Sequence, residues 1–279
     1  MSIKTLLVYL PSEKNAAAVL EPALKIAGER NAHVIGLHLI PDLPVYGEFP
    51  AEASEEVIVR LQKAGKEAAV AAKRIFDASV QNSAVTHEWR CFTASYAAGA
   101  DVIAQQGHGA DLIVCGKPRD DIPDAWSDFA ETAILRSGRP VLIVPGLNPQ
   151  TAIGNHVIIA WNDTREAARA VFDSLDLIKS ASTIRAVTLI DRESQRAPAE
   201  TLGSDLIANL ARHGVNASLD VSYANSGNAG EALLARLVEE GCDLLVMGGY
   251  SRSRLREMIF GGVSRDVLRE TWVPTLVSH

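Results

Sequence analysis

The chain has 279 residues, of which 47% are hydrophobic, and its formal net charge at pH 7 is −7. This length fits one large domain or two ordinary domains, and the apolar content is enough for each domain to bury a core. The net negative charge argues against nonspecific nucleic-acid binding, because that binding needs a broad basic face that displaces counterions from phosphates.

The first half of the chain predicts alternating strands and helices. Its apolar runs are short, rich in β-branched residues and nearly unbroken, which is typical of strands covered on both faces. The runs that predict strands are residues 5–10, 34–40, 85–89, 112–115 and 141–144. A long Ala/Lys/Val stretch at 53–78 and a second segment at 124–136 predict helices.

The second half predicts the same alternation. Strands are predicted at 157–161, 184–190, 217–221, 244–247 and 275–277, and helices at 166–178, 199–213, 229–240 and 263–271. Alternation of this kind implies parallel sheets joined by right-handed crossovers.

The two halves are copies of one unit. Four segments of the first half align in order with four of the second: 12–20 with 164–172, 37–40 with 187–190, 111–114 with 243–246, and 140–142 with 274–276. The repeat predicts two domains, 1–147 and 153–279, with a short turn-rich joint between them. The number of residues that separates a first-half segment from its second-half match is smaller for the later matches than for the earlier ones. We therefore place extra residues of the first half in the helix at 53–78.

Small residues follow the fourth predicted strand of the second half. Gly248 and Gly249 end that strand, and Gly261 and Gly262 open the helix predicted at 263–271. Amides at a helix start have no intrahelical partner and lie at the positive end of the helix dipole. Four arginines, Arg252, Arg254, Arg256 and Arg265, are in the same stretch. This pattern predicts a phosphate site.

The stretch from Gly248 to Ser264 resembles the nucleotide loop of the universal stress protein family, whose pattern is Gly, two residues, Gly, nine residues, Gly, then Ser or Thr. Gly248 and Gly261 fill the first and third glycine positions at the correct spacing. Ser251 replaces the second glycine, and Gly262 replaces the Ser or Thr, whose oxygen Ser264 could supply. The alternative reading is that these glycines only allow a tight turn and close packing.

The resemblance extends to the end of the first strand of the second half. Asn162 stands where the family commonly has an Asp that meets adenine, and an amide can also bind a base edge. Asp163 or Thr164 is the predicted N-cap of the next helix. The family fold would give two tandem α/β domains, each an open, twisted, five-stranded parallel sheet of the adenine nucleotide alpha hydrolase-like, Rossmann-like type. Asn162 and Gly248 would then follow the two strands at its switch point and converge on one cleft.

The function that the resemblance implies is binding of an adenine nucleotide, ATP with Mg²⁺, in the second half, in the service of stress adaptation. The base would meet Asn162 and lie beside Val187 or Leu189, and the phosphates would meet the loop. The residues expected to bind the nucleotide are Asn162, Asp163, Thr164, Val187, Gly248, Gly249, Ser251, Arg252, Arg254, Gly261, Gly262, Val263 and Ser264.

The first half departs from this pattern. Leu10 and Gly116 stand at the positions matched to Asn162 and Gly248, and no pair of small residues precedes the helix at 124–136, which instead carries Trp126 and Phe129. We therefore interpret the first copy as degenerate and structural, with binding of some other ligand as the alternative.

Signatures of catalysis are weak. The segment 249–253 lacks the closing glycine of a hydrolase nucleophile turn, and the only later histidine is His279. No Walker sequence occurs, and the seven histidines show no metal-ligand spacing. We expect no catalytic residue and no metal-ligating residue, and at most weak ATP hydrolysis. The rival hypothesis is a universal stress protein that binds no nucleotide and acts as a dimerising scaffold.

The sequence also bears on partners and location. The resemblance also implies that the last strands of the two repeats pair, as they often do across family dimers, to form an intramolecular pseudo-dimer. The segments 139–144 and 273–277 suit that role, and a homodimer is the further assembly considered. No apolar run approaches the roughly 20 residues that cross a bilayer, and the start shows no signal-peptide core. Three single cysteines, Cys91, Cys115 and Cys242, indicate reduced thiols. We expect a cytoplasmic protein with no membrane or nucleic-acid partner.

Overall fold

The computed structural model describes residues 2–42, 55–81, 83–95, 98–117, 129–146, 153–224, 228–249 and 263–279. They form two compact units, Ser2–Arg139 and Pro140–His279. Strand and helix alternate along both, and neighbouring strands in each repeat run parallel. The predicted α/β class with two tandem domains is confirmed.

The first unit is a parallel sheet with helices packed on it. Its elements are β1 Thr5–Tyr9, α1 Glu13–Arg30, β2 His33–Pro41, α2 Glu55–Gln81, β3 His87–Ala94, α3 Gly99–Gly107, β4 Leu112–Gly116 and α4 Phe129–Arg136. The strand order is β3-β2-β1-β4. α1 packs against α2, and α3 packs against α4.

One strand of this unit differs from its prediction, and one helix differs in length from its counterpart in the second unit. β3 was predicted at 85–89 but lies at His87–Ala94. It is the edge strand, and most of its residues are exposed, so its sequence lacks the apolar run of a buried strand. α2 has 27 residues, whereas the corresponding helix of the second unit, Arg196–Arg212, has 17. This difference confirms that the first half carries extra residues in this helix.

The described residues of the second unit form six strands. Its elements are β5 Val141–Val144, β6 His156–Ala160, α5 Arg165–Ile178, β7 Thr183–Ile190, a 3₁₀ turn Glu193–Gln195, α6 Arg196–Arg212, β8 Ser218–Tyr223, α7 Ala229–Glu239, β9 Leu244–Gly248, α8 Val263–Glu270 and β10 Thr275–Ser278. The order is β5-β10-β9-β6-β7-β8. From β6 the chain moves first towards β8 and then back to β9, which makes β6 and β9 the switch point.

The last strands of the two repeats pair with each other. β5 runs antiparallel to β10, with Leu142 opposite Leu276. The pairing predicted between the segments 139–144 and 273–277 is therefore confirmed. It covers the edge of β10 that β9 leaves free.

A buried aspartate anchors the first strand of the second unit. Asp243 is 8% exposed and accepts hydrogen bonds from the backbone N–H groups of Gly154, Asn155 and His156 at 2.9–3.0 Å. Its counterpart in the first unit, Asp111, accepts from the backbone of Lys4 and Thr5. The two units thus share the fold and also the aspartate contacts that hold the start of β6 and of β1.

Candidate functional site

The carboxyl ends of β6 and β9 lie side by side. The two strands are parallel neighbours, with Ala160 opposite Met247. The chain leaves β6 through Asn162 and leaves β9 through Gly249. The two segments that the sequence analysis singled out therefore start from adjacent strand ends, at the place where parallel sheets of this kind hold ligands.

Asn162 is held in place by the cap of α5. Thr164 is the N-cap residue, and its hydroxyl oxygen accepts a hydrogen bond from the N–H of Ala167 at 3.2 Å. The same hydroxyl donates to Oδ1 of Asn162 at 2.8 Å. Because Oδ1 is engaged in this way, Asn162, an exposed residue, would meet a ligand mainly through its NH₂ group.

Gly248 has a packing role. A Cβ at this position would lie 2.5 Å from the backbone nitrogen of Ala167 and 2.6 Å from the carbonyl carbon of Glu166. The matching Gly116 of the first unit approaches α1 in the same way, because its Cβ would lie 3.0 Å from Nδ2 of Asn15. Close packing, the alternative left open by the sequence, is thus confirmed for this glycine and operates in both units.

The backbone of Gly249 belongs to the sheet. Its N–H donates to the carbonyl of Ser278 at 2.9 Å. Its carbonyl accepts from Nδ1 of His279 at 3.0 Å. Amides that bind a phosphate must therefore come from residues beyond Gly249. The ring of His279 lies at this strand end. The sequence analysis considered this residue only as the one histidine that follows the segment 249–253.

A buried carboxylate lies in the first turn of α5. The side chain of Glu166 is 2% exposed and is hydrogen-bonded to Arg165. Burial acts to raise the pKa of this carboxyl, but the hydrogen bonds from Arg165 and the backbone, with the charges of Arg165 and His279, leave the pKa below its ordinary value. An ionised Glu166 therefore compensates the positive end of the α5 dipole.

The strand register shows which residues at these strand ends share a face of the sheet. Met247, Ala160, Val187 and Asp220 lie in one row across β9, β6, β7 and β8. Residues in register share a face, and Asp220 forms an ion pair with Arg236 of α7 at 3.1 Å. This row therefore faces α7. Gly248, one residue beyond Met247, points to the opposite face, toward α5, and Trp161 shares that opposite face.

The first unit fills the same face with aromatic side chains. Tyr9 lies opposite both Leu37 and Cys115, as Ala160 lies opposite Val187 and Met247. Tyr9 is fully buried, and its ring centroid is 4.4 Å from that of Phe129 in α4. At the position of Tyr9 the second unit has Ala160, a half-buried residue whose side chain is a single methyl group.

This register corrects one detail of the alignment. Asn162 was matched with Leu10, but Leu10 corresponds to Trp161, because their N–H groups donate to the matched carbonyls of Leu37 and Val187. The second unit has one more residue between its first strand and helix. Asp163 occupies that turn with φ of 53°, in the left-handed region that Asp and Asn tolerate best among non-glycine residues.

The remaining predicted site residues are placed as follows. Val187 is 2% exposed on the same face as Ala160, whereas Leu189, two residues closer to the strand end, is half-buried and lines an open groove. Val263 and Ser264 form the first turn of α8, so their backbone amides lie at a helix start. The predicted loop residues Ser251, Arg252, Arg254, Gly261 and Gly262 lie outside the described residues.

Comparison with known proteins identifies the repeat. The model of the universal stress protein family matches residues 2–145 and again residues 155–279. A universal stress protein of Synechocystis is 38% identical over 50 residues, a segment that spans 18% of this chain and 17% of that relative.

Solved structures share the fold over almost the whole chain. A universal stress protein from Archaeoglobus fulgidus aligns with 98% of this chain and 95% of its own at a TM-score of 0.72 and 15% identity. A structure from Pseudomonas aeruginosa aligns with 99% of this chain and 93% of its own at 0.66 and 16%. At such identities the likeness concerns the fold alone. With two family matches that together cover nearly all of its residues, the chain belongs to the universal stress protein family, as a tandem member.

Proposed function

We propose that the second unit binds an adenine nucleotide, ATP with Mg²⁺, in the crevice at the carboxyl ends of β6 and β9, in the service of stress adaptation. The observation that carries this proposal is the contrast between the two units. Tyr9 and Phe129 fill this face in the first unit, while Ala160 leaves the same strand position small in the second. This contrast supports the second unit, and not the first, as the unit that binds a nucleotide.

The described residues fit the base end of a nucleotide. Asn162 presents an amide NH₂ that Thr164 keeps oriented, and a ring nitrogen of a purine is an acceptor for it. Leu189 offers an apolar side chain against which a base can lie. The structure thus favours Leu189 over the more deeply buried Val187 as the residue beside the base.

The phosphates would meet the helix start that follows the loop. The amides of Val263 and Ser264 open α8, where unpaired N–H groups and the helix dipole attract an anion. Gly261 and Gly262 would allow close approach, and Ser251, Arg252 and Arg254 would contact the ribose or the first phosphates. Bound Mg²⁺ would neutralise part of the phosphate charge.

A glycine substitution in the loop tests the proposal. Gly261→Gln should lower the affinity for MgATP in calorimetric titration by at least about 100-fold, because a side chain would occupy the space of the phosphates, and it should leave the melting temperature unchanged. Gly109→Gln is the matched control, since a Cβ at Gly109 has nothing within 4 Å. Equal MgATP affinity in the wild type and Gly261→Gln would remove the loop from the site.

Two further measurements separate this proposal from its rivals. Mass spectrometry of small molecules released from freshly purified protein should detect an adenine nucleotide. If none is carried and none binds in titration, the scaffold hypothesis replaces nucleotide binding. We propose binding with at most weak hydrolysis, so sustained phosphate release at a rate typical of enzymes would contradict it.

Whether the chain forms a further assembly is settled by experiment on the full chain. Within the ranges that the structure describes, no helix combines the length and the apolar character that spanning a membrane requires. A homodimer is the further assembly we propose, and sedimentation of the full chain with and without MgATP measures it.

A further inference from the structure

A groove of about 630 Å³ lies next to the proposed base position, between β8 and α7. Leu189 and Ser222 line it from the sheet, and Ala232, Ala235 and Arg236 line it from α7. The volume is in the range of small-molecule sites. Apart from Leu189, no residue of this lining belongs to the nucleotide site proposed above, and β8 has no part in that site.

The strand register places the groove in line with the crevice. Ser222 is opposite Leu189, as Asp220 is opposite Val187, so Ser222 and Asp220 share a face of the sheet with Ala160. Neighbouring strands are about 4.8 Å apart, so Ser222 lies two strand spacings, roughly 10 Å, from the line of Asn162 on β6. A base against Leu189 would have Asn162 on one side and β8 on the other.

Two oxygen atoms on β8 are buried without a hydrogen-bond partner among the described residues. They are Oγ of Ser222 and Oδ2 of Asp220. Asp220 Oδ2 is 3.1 Å from Nη2 of Arg236, but this ion pair lacks hydrogen-bond alignment. Buried polar atoms are nearly always paired in native proteins, so a ligand that donates hydrogen bonds would satisfy both once it displaces the side chains that cover them.

The chemistry of the two sides is complementary. Asn162 has its carbonyl oxygen engaged with Thr164, so it meets the base mainly as a donor. The exocyclic amine of adenine is itself a donor and needs an acceptor elsewhere. An ionised carboxylate only accepts hydrogen bonds, so Asp220 suits an amine and opposes a carbonyl, whereas the Ser222 hydroxyl can serve either.

We propose that β8 forms the far wall of the base site, with Ser222 and Asp220 receiving the exocyclic amine, and that Asp220 makes the site select adenine over a purine with a carbonyl in that place. This inference rests on nucleotide binding by the second unit and adds the residues that set base specificity. It extends the site to a strand that the sequence analysis left without a role.

The test compares MgATP with MgITP, whose base carries a carbonyl in place of the exocyclic amine and, in consequence, an N–H at ring position N1 in place of an acceptor. Wild-type protein should bind MgATP at least about five-fold more tightly in calorimetric titration. Asp220→Asn should bring the affinity ratio close to one, because an amide can donate to the carbonyl. Ser222→Ala should weaken both nucleotides by a similar factor of roughly two to ten, because the hydroxyl serves either group.

A matched control separates recognition from stability. Ser218→Ala removes a hydroxyl from the same strand and face at its other end, and should change neither affinity. Thermal melting of each variant verifies that it is folded.

The outcomes distinguish this inference from the proposed function. If the wild type binds MgATP and MgITP equally, or Asp220→Asn keeps the wild-type ratio, β8 does not select the base and nucleotide binding itself still stands. Unchanged MgATP affinity in Ser222→Ala likewise removes Ser222 from the site. If the wild type binds neither nucleotide, the proposed function fails and the inference fails with it.

Discussion

Ala160 in the second unit occupies the strand position that Tyr9 occupies in the first. Both residues stand at the end of the central strand of their repeat, and their register partners correspond one to one. The Tyr9 ring packs on Phe129 and closes its crevice, while Ala160 leaves only a methyl group there. This one position therefore carries an aromatic ring in the first unit and a single methyl group in the second.

Refilling this position should close the second site. We expect Ala160→Tyr to weaken MgATP binding by about 10- to 100-fold, because the ring would overlap the base and overpacking of this kind costs about 1–3 kcal/mol. Calorimetric titration measures the affinity. Ala160→Ser, which adds a single atom, is the control and should bind normally. A tyrosine variant that is folded and binds MgATP as the wild type does would show that the nucleotide lies elsewhere.

Gly248 should respond to substitution as a packing residue, with a loss of stability. Gly248→Ala would place a methyl group against backbone atoms of Glu166 and Ala167, which cannot move aside, so we expect a loss of about 1–3 kcal/mol in the free energy of unfolding. Urea denaturation checks this. Gly28→Ala is the control, because a Cβ there has nothing within 4 Å and alanine favours a helix. A Gly248→Ala variant of full stability would exclude the packing role.

The cap of α5 links stability to the base site. We expect Thr164→Ala to cost about 1 kcal/mol in the free energy of unfolding and to lower MgATP affinity a few-fold, because Asn162 loses the hydroxyl that orients it. Thr164→Ser keeps the hydroxyl and should restore both quantities. If the alanine variant loses stability but retains full affinity, Asn162 does not bind through this contact.

The first unit should be sensitive to acid through His38. This side chain is 1% exposed, and its Nδ1 donates to the carbonyl of Leu10 at 2.7 Å. Burial lowers the pKa of His38, and the hydrogen bond to Leu10 opposes the shift only in part. The unfolded chain, in which a histidine titrates near pH 6.5, therefore takes up the proton first as the pH falls.

It follows that the contribution of neutral His38 is complete above about pH 6.5 and is lost as the pH drops through that value. We expect the free energy of unfolding of the first unit to fall between pH 7.5 and 5.5, and to fall less steeply in His38→Gln. Urea unfolding at several pH values gives the slopes. His33→Gln, at the amino end of the same strand, is the control. Equal slopes in His38→Gln and the wild type would exclude His38 as the cause.

The sequence was sufficient for the fold because buried parallel strands and amphipathic helices leave strong patterns. β9, predicted at 244–247, lies at Leu244–Gly248, and α7, predicted at 229–240, lies at Ala229–Glu239. β3 was placed less well, because an edge strand is partly solvated and its residues 90–93 are not an apolar run. The pairing of β5 with β10 was predicted from the family resemblance, which implies that the last strands of the two repeats pair, and from the apolar segments that suit this role.

The site could be predicted only in part. The sequence identified the strand ends that carry Asn162 and Gly248, since motifs and repeats mark them. It could not show that the Gly249 amide is engaged by Ser278, because such contacts depend on residues distant in the chain. Nor could it single out Ser222, since an ordinary serine on a strand becomes informative only when its oxygen is seen to be buried and unpaired.

The strand β5 comes from the first repeat, yet it completes the sheet of the second unit. A fragment that begins at residue 153 would therefore expose the backbone of β10 as an open template for other chains. Such a fragment should oligomerise or precipitate, whereas one that begins before Pro140 would carry its own protective strand. The hydrogen bonds between β5 and β10 therefore decide where a fragment of the second unit should begin. A fragment that starts where the second sequence repeat starts would lack β5.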